Sequence, residues 1–338
     1  MTSKERYYIY HHADFDGLAG AVIFSRFLSF REGLPFESFT FIPVDYDLRG
    51  TWLSKKLKQP SAIIDFLFHP DGRWWFDHHA TPFLMAASHL VSYRRTPTLY
   101  WNPRYLSCPS LIIAHLKKYF RTIARSLERE YSELIKWSDK IDAAQYDSPS
   151  DLGDFNNIYI NINRTLSLRH DVKYFRLIAR YLFQNDISGL GLNKEYQILI
   201  AKAKRDYSRS MKSMSKRIHV KDGVGIHDQL DSKTPFQRYA AYILFPSISY
   251  RVATYKKNGE FAVSVNFNPW LKQKNLINLG LLCSRFGGGG RRDVGAVMTK
   301  SKKHARDLAL TIARLLRDQP ASQILIPMKE TIRSSQGG

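Results

Sequence analysis

Three short apolar runs near the start of the chain each end in carboxylates and imidazoles. Tyr7-Tyr8-Ile9-Tyr10 runs into His11-His12-Ala13-Asp14-Phe15-Asp16-Gly17. Ile63-Ile64 runs into Asp65, and Trp74-Trp75-Phe76 into Asp77-His78-His79. Runs this short, bounded by polar residues, read as buried strands. Residues 17–30, GLAGAVIFSRFLSF, read as an apolar-rich helix stopped at Gly33. Residues 36–47 hold the next strand, and residues 51–60 read as a short basic helix closed by Pro60. The order β-α-β-α-β-β-α predicts an α/β fold with a largely parallel sheet flanked by helices. In such a sheet the carboxyl ends of the strands are where ligands bind. The three runs therefore deliver Asp14, Asp16, Asp65, Asp77, His78, His79 and one or both of His11 and His12 to one edge.

Clustered carboxylates repel one another and lose hydration when buried, and divalent cations relieve both costs. A fourth element joins them. In residues 136–146, KWSDKIDAAQY, Asp139 and Asp142 are spaced three apart and share one face if helical. One of the pair is a candidate ligand, and the other a cap or the partner of a base. Asp14, Asp16, Asp65 and Asp139 would bring four negative charges, balanced by two divalent ions. Mixed imidazole and carboxylate donors suit Mn²⁺ better than Ca²⁺, with Mg²⁺, Co²⁺ or Zn²⁺ as alternatives.

The chain has 338 residues, which suits two domains at roughly 150 residues each. Residues 193–217 read as one long basic helix carrying Lys202, Lys204, Arg205, Arg209, Lys212, Lys216 and Arg217. The expected organisation is 1–185, a catalytic domain; 186–220, a connecting helix; 221–330, a smaller α/β C-terminal domain; and 331–338, a mobile tail. Residues 248–267 read as a hairpin turned at Asn258-Gly259. Residues 286–298 read as a glycine loop leading into a strand, and residues 304–318 as a closing helix. Tyr255, Phe267 and Trp270 are candidates for stacking on bases.

Lys and Arg total 51 against 30 Asp and Glu, a formal net charge of +21. Such a surface attracts polyanions, and nucleic acid is the expected partner. No apolar run reaches the ~20 residues of a membrane span, and the N-terminus lacks a secretory signal. Membrane insertion is therefore not expected. Only Cys108 and Cys283 occur, which excludes a disulfide framework and points to a cytoplasmic protein. The sequence carries no signal of oligomeric state.

The motifs together resemble the DHH phosphoesterase superfamily, named for a triplet found here as Asp77-His78-His79. The match includes His12-x-Asp14-x-Asp16-Gly17, the strand-end Asp65 and the Ser138-Asp139 segment. The second half resembles the DHH-associated C-terminal domain through Gly287-Gly288-Gly289-Gly290 and Asn268-Pro269-Trp270. RecJ-type nucleases and small oligonucleotide phosphodiesterases are the nearest patterns. The resemblance implies that His12 and Asp14 hold one metal, that Asp16, His78 and Asp139 hold the other, and that Asp65 bridges. It implies that Asp77 orients a histidine and that His79 binds the reacting phosphate. It also implies substrate binding by Gly288, Gly289 and Gly290, with the strand in a cleft between the domains; Arg291 and Arg292, by their own chemistry, would reach its phosphates. Two departures stand out. Tyr10 occupies a position where some relatives place a ligating histidine, which leaves His11 a secondary candidate beside His12. Arg291-Arg292-Asp293 follows the glycines where relatives commonly have histidine.

The implied activity is two-metal hydrolysis of phosphodiester bonds in single-stranded nucleic acid or short oligonucleotides, directed from an end. Within the superfamily, the alternatives are hydrolysis of cyclic dinucleotides, nucleoside bisphosphates, pyrophosphate or polyphosphate. A catalytically inactive nucleic-acid-binding module is the alternative outside enzymology.

Overall fold

Apolar strands buried on both sides dictate a layered α/β unit. The computed structural model describes residues 6–79, 81–84, 96–234, 237, 239–257, 259–272 and 277–318. The N-terminal elements are β1 (Tyr7–His12), α1 (Phe15–Glu32), β2 (Phe39–Val44), β3 (Ser61–Ile64), β4 (Trp74–Asp77) and β5 (Leu99–Trp101). The helices α2 (Cys108–Tyr119), α3 (Arg121–Glu130), α4 (Ser132–Asp142), α5 (Ile158–Leu168), α6 (Val172–Phe183) and α7 (Ile187–Leu192) follow. All five strands are parallel, in the order β2-β1-β3-β4-β5. The order reverses direction between β1 and β3, so the crevice for a ligand opens at the carboxyl ends of those two strands.

Strand alternation assigns each side chain a face. Tyr7, Ile9, Phe39, Phe41, Ala62, Ile64, Trp74 and Phe76 join one core with residues of α1, α2 and α6. Tyr10, Val44, Ile63 and Trp75 join a second core with Trp52, Leu57, Phe66, Leu67 and Phe68. Among the described residues, that second face is covered by loops and turns rather than helices. Helix α1 is buried over most of its circumference, as expected where apolar residues do not keep to one stripe. Asp14 caps its start, and Gly33, at φ 70°, ends it.

Three expectations about elements need correction. Residues 51–60 form no α-helix: Tyr46–Gly50 and Trp52–Ser54 are separate 3₁₀ turns, and Trp52 points into the second core. The aromatic anchor outweighs the basic helical pattern around it. Strand β5 adds to the expected set, and at three residues it is too short to show a pattern. The helical reading of residues 126–141 is interrupted at Tyr131, between α3 and α4.

Helix α8 (Lys194–Arg217) is continuous, and the chain divides into two compact units within it, between Lys204 and Arg205, with Ser148–Ser150 grouped with the second. The second unit continues with β6 (Ile218–Lys221), β7 (Val224–Asp228), α9 (Ala240–Leu244), β8 (Tyr250–Lys257) and β9 (Glu260–Phe267). It closes with α10 (Leu279–Ser284), β10 (Gly289–Arg291), β11 (Val294–Thr299) and α11 (Lys302–Asp318). Its mixed sheet has the order β10-β11-β9-β8-β7-β6. Val252, Val263, Val265 and Val297 pack against Leu308, Ile312 and Leu316 of α11. The hairpin of β8 and β9 is present; Asn258 of its turn and the tail 331–338 lie outside the described residues.

Candidate metal centre

The centre is built at the junction of β1 and α1. At the end of β1, His11 and His12 point to opposite faces. His11 lies beside Phe41 and Phe175, fully buried, and its Nδ1 donates to the His12 carbonyl at 2.8 Å. Burial pushes its imidazole down to about 4. His12 faces the other way, with Nδ1 2.8 Å from Asp14 Oδ2 and 3.8 Å from Asp65 Oδ2. The turn between them is tight: a Cβ on Gly17 would lie 2.4 Å from the His12 carbonyl oxygen and 2.7 Å from its nitrogen. Only glycine admits that approach. The Gly17 N–H donates to Asp14 Oδ1 at 2.9 Å. Asp16 turns inward and accepts from the Cys108 N–H at 2.8 Å. It thus lies at the start of α2 as well as in the first turn of α1, where helix dipoles favour an anion.

Asp65 follows β3 directly. Its φ is 61°, and it is buried to 1% exposure. Left-handed backbone is uncommon outside glycine, and Asp and Asn tolerate it best. Its N–H donates to the Phe76 carbonyl at 2.8 Å, but neither carboxylate oxygen has a hydrogen-bond partner. At the end of β4, His78 Nδ1 lies 3.1 Å from the Tyr105 carbonyl. A carbonyl only accepts, so Nδ1 carries the proton. In the neutral ring Nε2 is then the free donor atom, and it faces Asp65 Oδ1 at 3.3 Å, Asp16 Oδ2 at 3.4 Å and Asp142 Oδ2 at 3.5 Å. Asp77 accepts from the His79 N–H at 3.2 Å and faces His79 Nδ1 at 2.8 Å. His79 Nδ1 is also 3.5 Å from Asp65 Oδ1.

Three overlapping groups result: His12, Asp14 and Asp65; Asp16, His78 and Asp142; and Asp65, His78 and His79. Within each, one donor atom per residue lies within 4.8 Å of the others. Asp65 contributes to the first and third groups and approaches His78 of the second, so it stands between two candidate cation positions. Asp139 is in none of them. Its carboxylate accepts from Ser107 Oγ at 2.5 Å and from Ser110 Oγ at 2.7 Å. Ser107 is also the N-cap of α2, so Asp139 braces the start of that helix. Asp142, one turn further along α4, is the residue of that pair that lies with Asp16 and His78. Spacing puts both on one face but does not say which reaches His78.

The electrostatics describe a pocket short of positive charge. Burial alone would lower the three imidazoles, but the carboxylates facing them prevail. His12, beside Asp14, is pushed up to about 10; His78, between Asp16 and Asp65, to about 12; and His79, on Asp77, to about 9. Burial and neighbouring carboxylates raise Asp16, hold Asp65 well above the usual carboxylate range, and push Asp142 up to about 7. Buried atoms without hydrogen-bond partners include both Asp65 oxygens, Asp16 Oδ1 and His78 Nε2. Clustered, orphaned imidazole and carboxylate donors fit divalent transition metals.

Comparison with solved structures bears on the fold. The pGpG-specific phosphodiesterase PggH from Vibrio cholerae superposes with a TM-score of 0.68 at 16% identity, over 93% of this chain and 100% of that one. A DHH domain from a protein described as a member of a family of ribosomal proteins matches at a TM-score of 0.50 and 12% identity, over 93% and 87%. This chain has the DHH fold. RecJ from Thermus thermophilus in complex with Mn²⁺ matches at a TM-score of 0.50 and 14% identity, over 94% of this chain and 53% of that one. No protein-family model and no curated protein matches the sequence.

Within this DHH fold, the residues expected to grip substrate lie on the second unit. The glycine segment is not an open loop. Gly289 and Gly290 belong to β10. A Cβ on Gly288 would lie 2.1 Å from the Ala296 oxygen, and one on Gly290 2.2 Å from the Val294 oxygen. Close packing against β11 therefore accounts for Gly288 and Gly290. Arg291 and Arg292 are exposed where β10 turns towards β11. Trp270 packs edge-on to Tyr239 at 5.5 Å between ring centroids, and Phe267 against Tyr250 in the same way, which accounts for both as packing residues. Sequence reasoning misses the Tyr105 carbonyl and the Cys108 N–H, since no side-chain pattern announces a backbone partner. It also misses Tyr46, whose ring lies 5.2 Å from that of His12. Cys108 and Cys283 are buried free thiols.

Proposed function

We propose that this protein is a metal-dependent phosphodiesterase that hydrolyses single-stranded nucleic acid or short oligonucleotides from an end. The observation that carries the reading is Asp65, a buried carboxylate with no hydrogen-bond partner, set between two sets of candidate metal donors. His12 and Asp14 would hold one ion, Asp16, His78 and Asp142 the other, with Asp65 shared. Mn²⁺ is the proposed ion, and Mg²⁺ or Co²⁺ would fit the same donors. When bound, the pair would lower the pKa of a shared water and neutralise charge on the phosphate.

The chain's own residues do the rest. Tyr105 fixes the tautomer of His78 through its carbonyl and so presents Nε2 as a donor. Asp77 does the same for His79, whose ring is 28% exposed and can meet a phosphate oxygen. Gly17 sets the height of α1 against β1 and thereby aims Asp14 and Asp16. Residues 1–185 are assigned the chemistry and 221–330 the holding of substrate by Arg291 and Arg292, with 186–220 between them.

The +21 charge supports a polyanionic substrate. The pGpG specificity printed for PggH supports a short one. Two buried free cysteines fit a reducing compartment. The test is timed product analysis of end-labelled RNA and DNA, from pGpG to 20-mers, with Mn²⁺ or Mg²⁺. Release of mononucleotides from one end is expected. Turnover of pyrophosphate, polyphosphate or cyclic dinucleotides with inert oligonucleotides would replace this reading, as would binding without turnover.

A further inference from the structure

Helix α8 carries a cationic face that the metal centre does not use. Lys202, Arg205, Arg209, Lys212 and Lys216 line it, and all five are exposed. Their spacing is three, four, three, four. At 100° per residue they fall within an arc of about 80° and cover roughly 21 Å of helix. The buried residues Tyr196, Ala203, Ser210 and Met214 lie away from this row, so the anchored face and the charged face are distinct. Arg209 pairs with Asp206 one turn back. Among the described residues, no carboxylate pairs with Lys202, Arg205, Lys212 or Lys216 in an ion pair.

We propose that this face is a binding track for the phosphate backbone of single-stranded nucleic acid longer than a few nucleotides. Successive cations stand about 5 Å apart along the axis, a row suited to a chain of regularly spaced anions rather than to one phosphate. Five cations carried along one helix repel one another, and a polyanion removes that repulsion while releasing its own counterions. An anionic membrane is the poorer fit, because membrane-surface helices set a broad apolar face beside the basic one, and Ile198 is the one large apolar side chain of α8 that is exposed. The proposal deepens the oligonucleotide reading by naming a preference for length, and it rests on that reading only for the identity of the polyanion.

The test uses the full chain without added metal, so that binding is measured apart from hydrolysis. Fluorescence anisotropy with 20-nucleotide oligo-dU and oligo-rU is followed from 50 to 300 mM salt. The variant carries Lys202→Gln, Arg205→Gln, Lys212→Gln and Lys216→Gln. A charge-matched control carries Lys118→Gln, Arg121→Gln, Arg125→Gln and Arg129→Gln. Removal of four phosphate contacts is expected to flatten the slope of log K against log salt by about 3 and to weaken binding at least ~10-fold at 100 mM. The control should retain most of the affinity. Equal losses in both variants, or none in the track variant, would overturn the proposal. So would loss of binding to phosphatidylglycerol vesicles with oligonucleotide binding intact. Unchanged Mn²⁺ uptake and thermal melting in the track variant would show that the loss belongs to the surface, whatever reaction the metal centre performs.

Discussion

His78 Nε2 lies 3.3 Å from Asp65 Oδ1, held there because His78 Nδ1 donates to the Tyr105 carbonyl at 3.1 Å. The imidazole is therefore oriented by backbone, and the carboxylate it meets has no hydrogen-bond partner. The pair is a gap in the hydrogen-bonding of an otherwise well-packed unit, and a cation closes such a gap.

Asp65→Asn separates ligand from backbone. Asn tolerates the left-handed φ of 61° that Ala would strain. Loss of Mn²⁺ uptake by isothermal titration is expected, with phosphodiesterase turnover at background. The metal-free protein should keep its stability within about 1 kcal/mol, because Asn keeps the shape of the side chain and the cost of burying the carboxylate offsets most of its attraction to the imidazoles around it. Full turnover in the variant would exclude the shared-ligand assignment.

Asp139 and Asp142 should fail in different ways. Asp142→Asn is expected to weaken metal binding and leave chemical denaturation nearly unchanged. Asp139→Ala loses the hydrogen bonds from Ser107 and Ser110 and should destabilise the fold by roughly 1.5–3 kcal/mol, as for bonds to a charged group. The reverse pattern would restore Asp139 as the ligand.

How much of this is legible in the sequence follows from what each residue depends on. Asp14, Asp65 and Asp77 are readable because a carboxylate after an apolar strand has one place to go. Only the sheet separates His12 from His11, since alternation fixes opposite faces but not which face meets Asp14 and Asp65. Helical spacing leaves Asp142 level with Asp139 because it says nothing about serines arriving from another helix. The turns at residues 46–54 escape a sequence reading because the burial of Trp52 is a tertiary fact.

Gly17→Ala should cost about 3 kcal/mol, at the upper end for overpacking, because the added methyl meets the His12 backbone at 2.4 Å. Urea denaturation checks this. Reduced metal affinity in the fraction that folds is also expected. A variant with wild-type stability would show that α1 can rise away from β1 without cost.

His227 supplies the pH dependence. It is fully buried in β7, and neither ring nitrogen has a hydrogen-bond partner. Burial, with the positive charges of Arg251 and Arg217, pushes it down to about 4. The folded protein therefore resists protonation that the unfolded chain accepts near 6.5. Its contribution is complete above the unfolded value and is lost as the pH falls towards about 4. The loss is on the order of 3 kcal/mol. Denaturation midpoints between about pH 7 and 4.5 should fall less steeply in His227→Leu. Parallel curves for the two proteins would remove His227 from the acid transition.

The contact between Gly17 and the His12 backbone bears on transplantation. The aim of the imidazole comes from how closely a helix is seated on a strand, not from the side chain itself. The segment from His11 to Gly17, copied into another strand–helix junction, would carry the side chains of His12, Asp14 and Asp16 and still misdirect them unless the host seats its helix equally close.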